Sequence, residues 1–323
     1  MRADRILIVS LDNLGDLVFA SALAEPLRER YPNATLAVWS KAYTAEVAAL
    51  IPGVADVHAS DPFWDKAPGR SKGDLRAFLR TAMQVRRGHY DVAVLAAAPW
   101  RTAAAVAATG IPKRIGLARR RNRAFLTHAL PPDNIRRPVL AELARVLEPL
   151  DASTTAPLQY RLDRAPLAAR RARLAAVLEQ PTIALHPFAS KRNRCVAVPV
   201  WIEAARTFEQ RGLRPLWIGS ASEMAELRGA GAGEHWRYID RDSDGSLADS
   251  AAALSLATVF VGHDSGPLHI AGAFGVPVVG IFAPGEPLRT FPQGVGPSRM
   301  LARESPAGIT AADIVAEVEQ LGY

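Results

Sequence analysis

The sequence predicts an α/β protein made of two similar halves, each a parallel sheet flanked by helices, and three observations carry that expectation. Short apolar runs recur with turn residues at their ends and helix-period segments between them, which is the signature of parallel strand–helix–strand crossovers. A weakly patterned stretch containing Pro149, Pro157 and Pro166 divides the chain, and a fresh series of strands starts beyond it at Thr182. The 323 residues, 49% of them apolar, suffice for two cores. The expected domains are residues 1–160 and 161–323.

The first strand is RILIVS, Arg5–Ser10, apolar enough to be buried on both faces. Residues 11–16, LDNLGD, turn it into a helix expected over 17–31, a Rossmann-like opening. Only Gly15 occupies a turn where a dinucleotide fingerprint wants three glycines, so a nicotinamide cofactor is disfavoured. Asp16 stands at this loop–helix junction, where a carboxylate can take a proton from an attacking hydroxyl. The plainer reading is a helix cap that stabilises the positive end of the helix. A strand over 35–39 and a short helix over 42–50 continue the βαβ pattern. Residues 61–73, DPFWDKAPGRSKG, read as an exposed functional loop. The pattern predicts a helix at Leu75–Arg87 and a strand at 90–96, with Trp100 and Arg101 at that strand's end.

The densest charge lies at Arg119, Arg120, Arg121 and Arg123, after a short strand at 113–116. With Lys66, Arg70 and Lys72 these residues are candidates to hold carboxylate or phosphate, although for any single arginine a solvated loop face is the better reading. In the second half the elements expected are a helix over 164–180, a strand at Thr182–His186, a helix over 201–211, a strand over 214–218, a helix over 223–228, a short strand over 236–239 and a helix over 247–257. Residues 258–261 then form a buried strand, 262–266 a turn, 267–274 a small-residue helix and 277–282 a strand. Helix N-termini at strand ends of open α/β sheets offer unpaired N–H groups to phosphate, so Ser265 and Gly266 would face such a ligand.

Charge and cysteine content narrow the partners. A net charge of +7, from 39 Lys+Arg against 32 Asp+Glu, points to acidic partners. The basic patch lacks interleaved aromatics or a binding motif, so no nucleic acid is expected. The single cysteine, Cys195, allows no internal disulfide, and no Cys/His spacing suits zinc. Residues 1–10 are too short for a signal peptide, and no apolar run approaches the roughly 20 residues of a membrane span. A cytoplasmic protein is expected.

The string DSGPLH at 264–269, with AGAFGVPVVGIFAPGEP at 271–287, resembles the signature of glycosyltransferase family 9, the ADP-heptose:lipopolysaccharide heptosyltransferases. The resemblance implies a GT-B fold, two Rossmann-like domains facing each other across a cleft, with an acceptor-binding N-terminal and a donor-binding C-terminal domain. It implies an inverting transfer from an ADP-sugar, without metal or cofactor, to an anionic or glycan acceptor that could lie at the inner membrane surface. Asp264, Ser265, Gly266 and His269 would hold the donor. The Gly15-Asp16 pair resembles the family's N-terminal motif, which makes Asp16 the implied general base. The turn from His186 to Lys191 resembles the family's His-Pro-Gly-Ala-Ser segment at the diphosphate, with Phe188 in place of the glycine. Val196 stands where the family's following lysine is expected, so Ser190 with Lys191, Arg192 or Arg194 would meet the phosphates. Glu223 resembles the acidic residue beside the ribose; alternatively it stabilises the first turn of its helix. A nucleotide-sugar epimerase, a GT-B transferase using another nucleotide sugar, and a non-catalytic polyanion-binding protein are the alternatives.

Overall fold

A computed structural model describes residues 3–65, 72–131, 137–176, 178, 181–240 and 246–323. The chain forms two compact units, Met1–Leu162 and Asp163–Tyr323. The strands of the first are β1 (Arg5–Ser10), β2 (Thr35–Ser40), β3 (Val54–Ala59), β4 (Val92–Leu95), β5 (Lys113–Leu117) and β6 (His128–Leu130). They form one parallel sheet in the order β3-β2-β1-β4-β5-β6. The second unit contains β7 (Thr182–His186), β8 (Arg214–Gly219), β9 (Arg237–Asp240), β10 (Val259–His263), β11 (Val278–Phe282) and β12 (Ser298–Ala302). Their order, β12-β11-β10-β7-β8-β9, repeats the first winding, again all parallel.

The central strands are apolar on both faces because helices cover both, and each fully buried Leu, Ile or Val side chain stabilises the fold by about 1.5–3 kcal/mol. In the first unit Trp39 stacks on Phe78 of the helix Leu75–Arg87, with ring centroids 5.3 Å apart. In the second, Trp201, Phe208, Trp217 and Phe188 fill the space between sheet and helices.

Two boundaries differ from the sequence expectation near the candidate residues. The first helix starts at Leu14 and is broken, as Leu14–Ser21 and Ala24–Arg30. Asn13, extended at φ −77° and ψ 172°, is its cap, which places Gly15 and Asp16 inside the first turn rather than in the loop. The break follows from Pro26, which has no N–H for the carbonyl of Ala22. Further on, β10 runs through Gly262 and His263, and the helix after it is Gly266–Ala273. Gly262 pairs with Gly280 on one side and His186 on the other, so sheet pairing overrides turn propensity there. Its missing side chain serves packing, since a Cβ would lie 2.6 Å from the Phe260 ring.

Candidate active site

In each sheet the winding reverses beside the central strand, between β1 and β4 and between β7 and β10, and the crevice beyond such strand ends is where open α/β sheets bind ligands. In the second unit those ends are His186 and His263. The Asp264 N–H donates to the Ile281 carbonyl at 3.2 Å. One Asp264 carboxylate oxygen accepts from Thr290 Oγ1 at 2.9 Å, and the other lies 3.3 Å from His269 Nε2. His269, 2% exposed, thus fastens the turn to its own helix. Ser265 is extended (φ −156°, ψ 168°), with its Oγ donating to the His263 carbonyl at 3.1 Å. The side chains at 264, 265 and 269 therefore brace the turn, and the backbone N–H groups of the first helical turn are further donors beside them. Pro267 is in that turn and contributes none, so Gly266 and Leu268 carry them.

Beside this turn is a small recess lined by Ala189, Arg194, His263, Asp264 and residues 281–285. Of the basic residues in the 186–194 segment, Arg194 lines it. Lys191 and Ser190 are exposed. Arg192 is drawn aside by Glu226, at 2.8 Å, and lies over the Phe188 ring. The two departures from the family pattern have a common cause: Phe188 and Val196 are 1% and 2% exposed and belong to the core. Val196 also donates its N–H to His263 Nε2 at 3.1 Å. Burial and the neighbouring His186 push the His263 pKa down to about 4, so the ring is neutral. His186 Nδ1 lies 2.8 Å from the Ile218 carbonyl. Sequence reading had His186 at the end of its strand but put His263 in the following turn, and the only signal for His263 was its place just after an apolar run.

Glu223 lies in the first turn of the helix Ala221–Gly229. Its carboxylate accepts the Ser220 N–H at 2.8 Å while Ser220 Oγ accepts the Glu223 N–H at 3.4 Å, a reciprocal cap.

The first unit gathers charge at the matching end of its own sheet. Asp16 is half-buried, and its carboxylate accepts the Asn13 N–H at 3.2 Å. Asp12, which sequence reading passed over, sits directly after β1. Burial raises its pKa, Lys41 and Arg119 pull it back down, and Asp65 pushes it further up. Lys41, 4% exposed at the end of β2, is paired with Asp65. Arg119 is drawn to this end by Asn122, which is fully buried. Asn122 Nδ2 donates to the carbonyls of Ala98 at 2.7 Å and Leu117 at 2.9 Å, and its Oδ1 accepts the Arg119 N–H at 2.6 Å. Arg119 also lies 3.8 Å from Glu142. Arg121, Arg123 and Lys72 are exposed. Lys66, Arg70 and the Arg120 side chain lie outside the described residues.

Glycosyltransferase family 9 (heptosyltransferase) matches residues 78–307 of the chain. By sequence, no curated protein matches it. Among solved structures, the family 9 glycosyltransferase of Veillonella parvula superposes with a TM-score of 0.82 at 17% identity, covering 98% of this chain and 97% of that one. The ADP-heptose LPS heptosyltransferase II of E. coli gives 0.80 at 19%, covering 98% of each. E. coli heptosyltransferase WaaC with ADP-2-deoxy-2-fluoro heptose gives 0.79 at 15%, covering 98% and 99%. At these identities the likeness speaks for the fold, GT-B.

Proposed function

The chain belongs to glycosyltransferase family 9 and is a glycosyltransferase, and from that premise we propose that it transfers a heptose from ADP-heptose to a hydroxyl of an anionic glycan of the lipopolysaccharide-core kind, inverting the anomeric carbon. The observation that carries this reading is the family match over residues 78–307, a span that takes in the Asp264 turn, the 186–194 segment and the arginine run. The donor class is the one held by WaaC in its solved complex.

In this reading the Asp16 carboxylate takes the acceptor hydroxyl's proton as the oxygen attacks the anomeric carbon. The bond from that carbon to the diphosphate breaks, and ADP departs with the negative charge. The N–H groups of Gly266 and Leu268, with Arg194 and Lys191, meet that charge, in a geometry fixed before the reaction starts. Ser190 lies on the same segment, and Glu223 stands by the ribose. Asp264 and His269 act by holding the turn. Lys72, Arg119, Arg121 and Arg123, together with Arg70 and Arg120, gather the acceptor's anionic groups at the inner face of the cytoplasmic membrane. No metal or cofactor enters the scheme.

Mass spectrometry of products from a core oligosaccharide, offered with ADP-heptose or with UDP-sugars, tests it. A heptose added from the ADP donor alone is expected; transfer from UDP-sugars alone, or an isomerised donor without transfer, would overturn the assignment.

A further inference from the structure

The helix Leu75–Arg87 has a face that the transfer chemistry does not use. It buries Phe78, Thr81 and Val85 against its sheet. On the solvent side, flanking that buried face, Leu75, Leu79 and Met83, four residues apart and therefore in one stripe, are 47%, 53% and 49% exposed. Arg76, Arg80 and Arg87 run alongside that stripe, about 100° of turn per residue placing them next to it, and Arg86 closes its far end. The helix contains no acidic residue. The Asp74 carboxylate before it is turned to its own cap, accepting the Ala77 N–H at 2.7 Å. Phe63, 39% exposed, packs edge-on against Phe78 and prolongs the apolar surface at the helix start.

An amphipathic helix that has already covered its sheet has no folding reason to carry a second apolar stripe in water. We propose that this outer face of the helix Leu75–Arg87, with Phe63, docks on an anionic lipid bilayer. The charge pattern selects that occupant. Leucine and methionine enter the boundary between headgroups and acyl chains, while the arginines pair with lipid phosphate at the same depth, their stems lying along the apolar layer. A second copy of the chain would set four arginines against four like charges. Among the described residues no helix is long and apolar enough to cross a membrane, so the contact is made in the plane of the surface.

The placement also suits the reaction, and to that extent the idea rests on the reading of a membrane-borne acceptor. Thr81, midway along the helix, donates its Oγ1 to the carbonyl of Ala59, the last residue of β3, at 3.4 Å. The turns before Thr81 therefore project beyond the strand ends, on the side of the sheet where Asp16 lies. A docked helix brings that edge to the lipid surface.

Co-sedimentation of the full chain with vesicles, without any sugar substrate, tests docking by itself. Binding is expected to phosphatidylcholine containing roughly one third phosphatidylglycerol, far less to phosphatidylcholine alone, with loss at high salt. Leu79→Glu/Met83→Glu should abolish it, and Arg76→Ala/Arg80→Ala/Arg87→Ala should weaken it by roughly fivefold per arginine removed. Both variants should keep the wild-type thermal shift with ADP and wild-type transfer to a water-soluble acceptor. Wild-type protein that ignores anionic vesicles, or variants that bind as wild type does, would overturn the proposal. So would a concentration-dependent dimer by light scattering that Leu79→Glu/Met83→Glu dissolves, since the face would then belong to a second copy. Vesicle binding by a protein that transfers no sugar would uphold docking and sink the transfer reading instead.

Discussion

Asp16 occupies a place where a general base and a helix cap would both put a carboxylate, and its bond from the Asn13 N–H shows that it performs the second task in any case. The two tasks separate on substitution. Asp16→Asn keeps an oxygen for the cap but cannot take a proton, so turnover should fall by about 10² to 10⁴ while ADP affinity and thermal stability stay near wild type. Unchanged kcat in that variant would mark Asp16 as a cap alone. His263 gives a prediction of a different kind. In the folded protein the ring stays neutral down to about pH 4, whereas in the unfolded chain it gains a proton near pH 6.5. Between those values the unfolded state holds more protons, so this group's contribution is complete above the upper value and is lost as pH falls, by on the order of 3 kcal/mol. Urea denaturation at about pH 7 and about pH 4.5 should show a smaller difference for His263→Gln than for wild type. A residue's type is readable in sequence, but its burial is not. Asp12 looked like any loop aspartate until Lys41, Asp65 and Arg119 were seen around it, and Phe188 looked like a lost glycine until it was found in the core.

Elements repeat the pattern at larger size. Amphipathic helices were legible, Leu75–Arg87 to the residue, because their period decides them. The edge strands β3 and β12 and the short β6 were passed over, since half-exposed strands such as VADVHA have no continuous apolar run. Ala-rich Trp100–Ala108 and the terminal helix Ala311–Glu319 were likewise missed, the first because small residues on all sides blur the period. The helix start at Gly266 allows a test of the donor turn. Proline suits a first helical position and follows an extended residue well, but Pro267 restricts the residue before it, so Gly266→Pro removes one N–H at the cost of some strain in the turn. If that N–H meets the diphosphate, ADP affinity should drop by about tenfold or more, in line with one hydrogen bond to a charged group. Ser265→Ala should bind almost normally, and titration calorimetry of both, with circular dichroism as control, decides. Equal affinities would place the diphosphate elsewhere. On the first unit, Asn122→Ala strands the Arg119 N–H and two carbonyls, which should cost about 1–3 kcal/mol of stability. If the arginine segment serves the acceptor, the acceptor KM should rise more than the donor KM; a pure stability loss with both KM values unchanged would count against that role.

At the scale of the molecule, each unit has its own sheet and its own buried cluster. Residues 163–323 expressed alone should therefore fold cooperatively and bind ADP within about tenfold of the full chain. A fragment that is folded but blind to ADP would show that the donor needs residues of the other unit. That the chain holds two windings was legible from the break around residues 149–166 and the new strand at Thr182; the order of strands was not, because crossovers of similar length can step either way along a sheet. The order found has a consequence for how the protein comes off the ribosome. In each unit the first strand made becomes an inner one, the next two join it successively on one side, and the last three extend the opposite side. Every new strand meets an edge that already exists and none has to wedge between two partners already joined, so both sheets can grow by accretion at the pace of synthesis, the first being finished before the second begins.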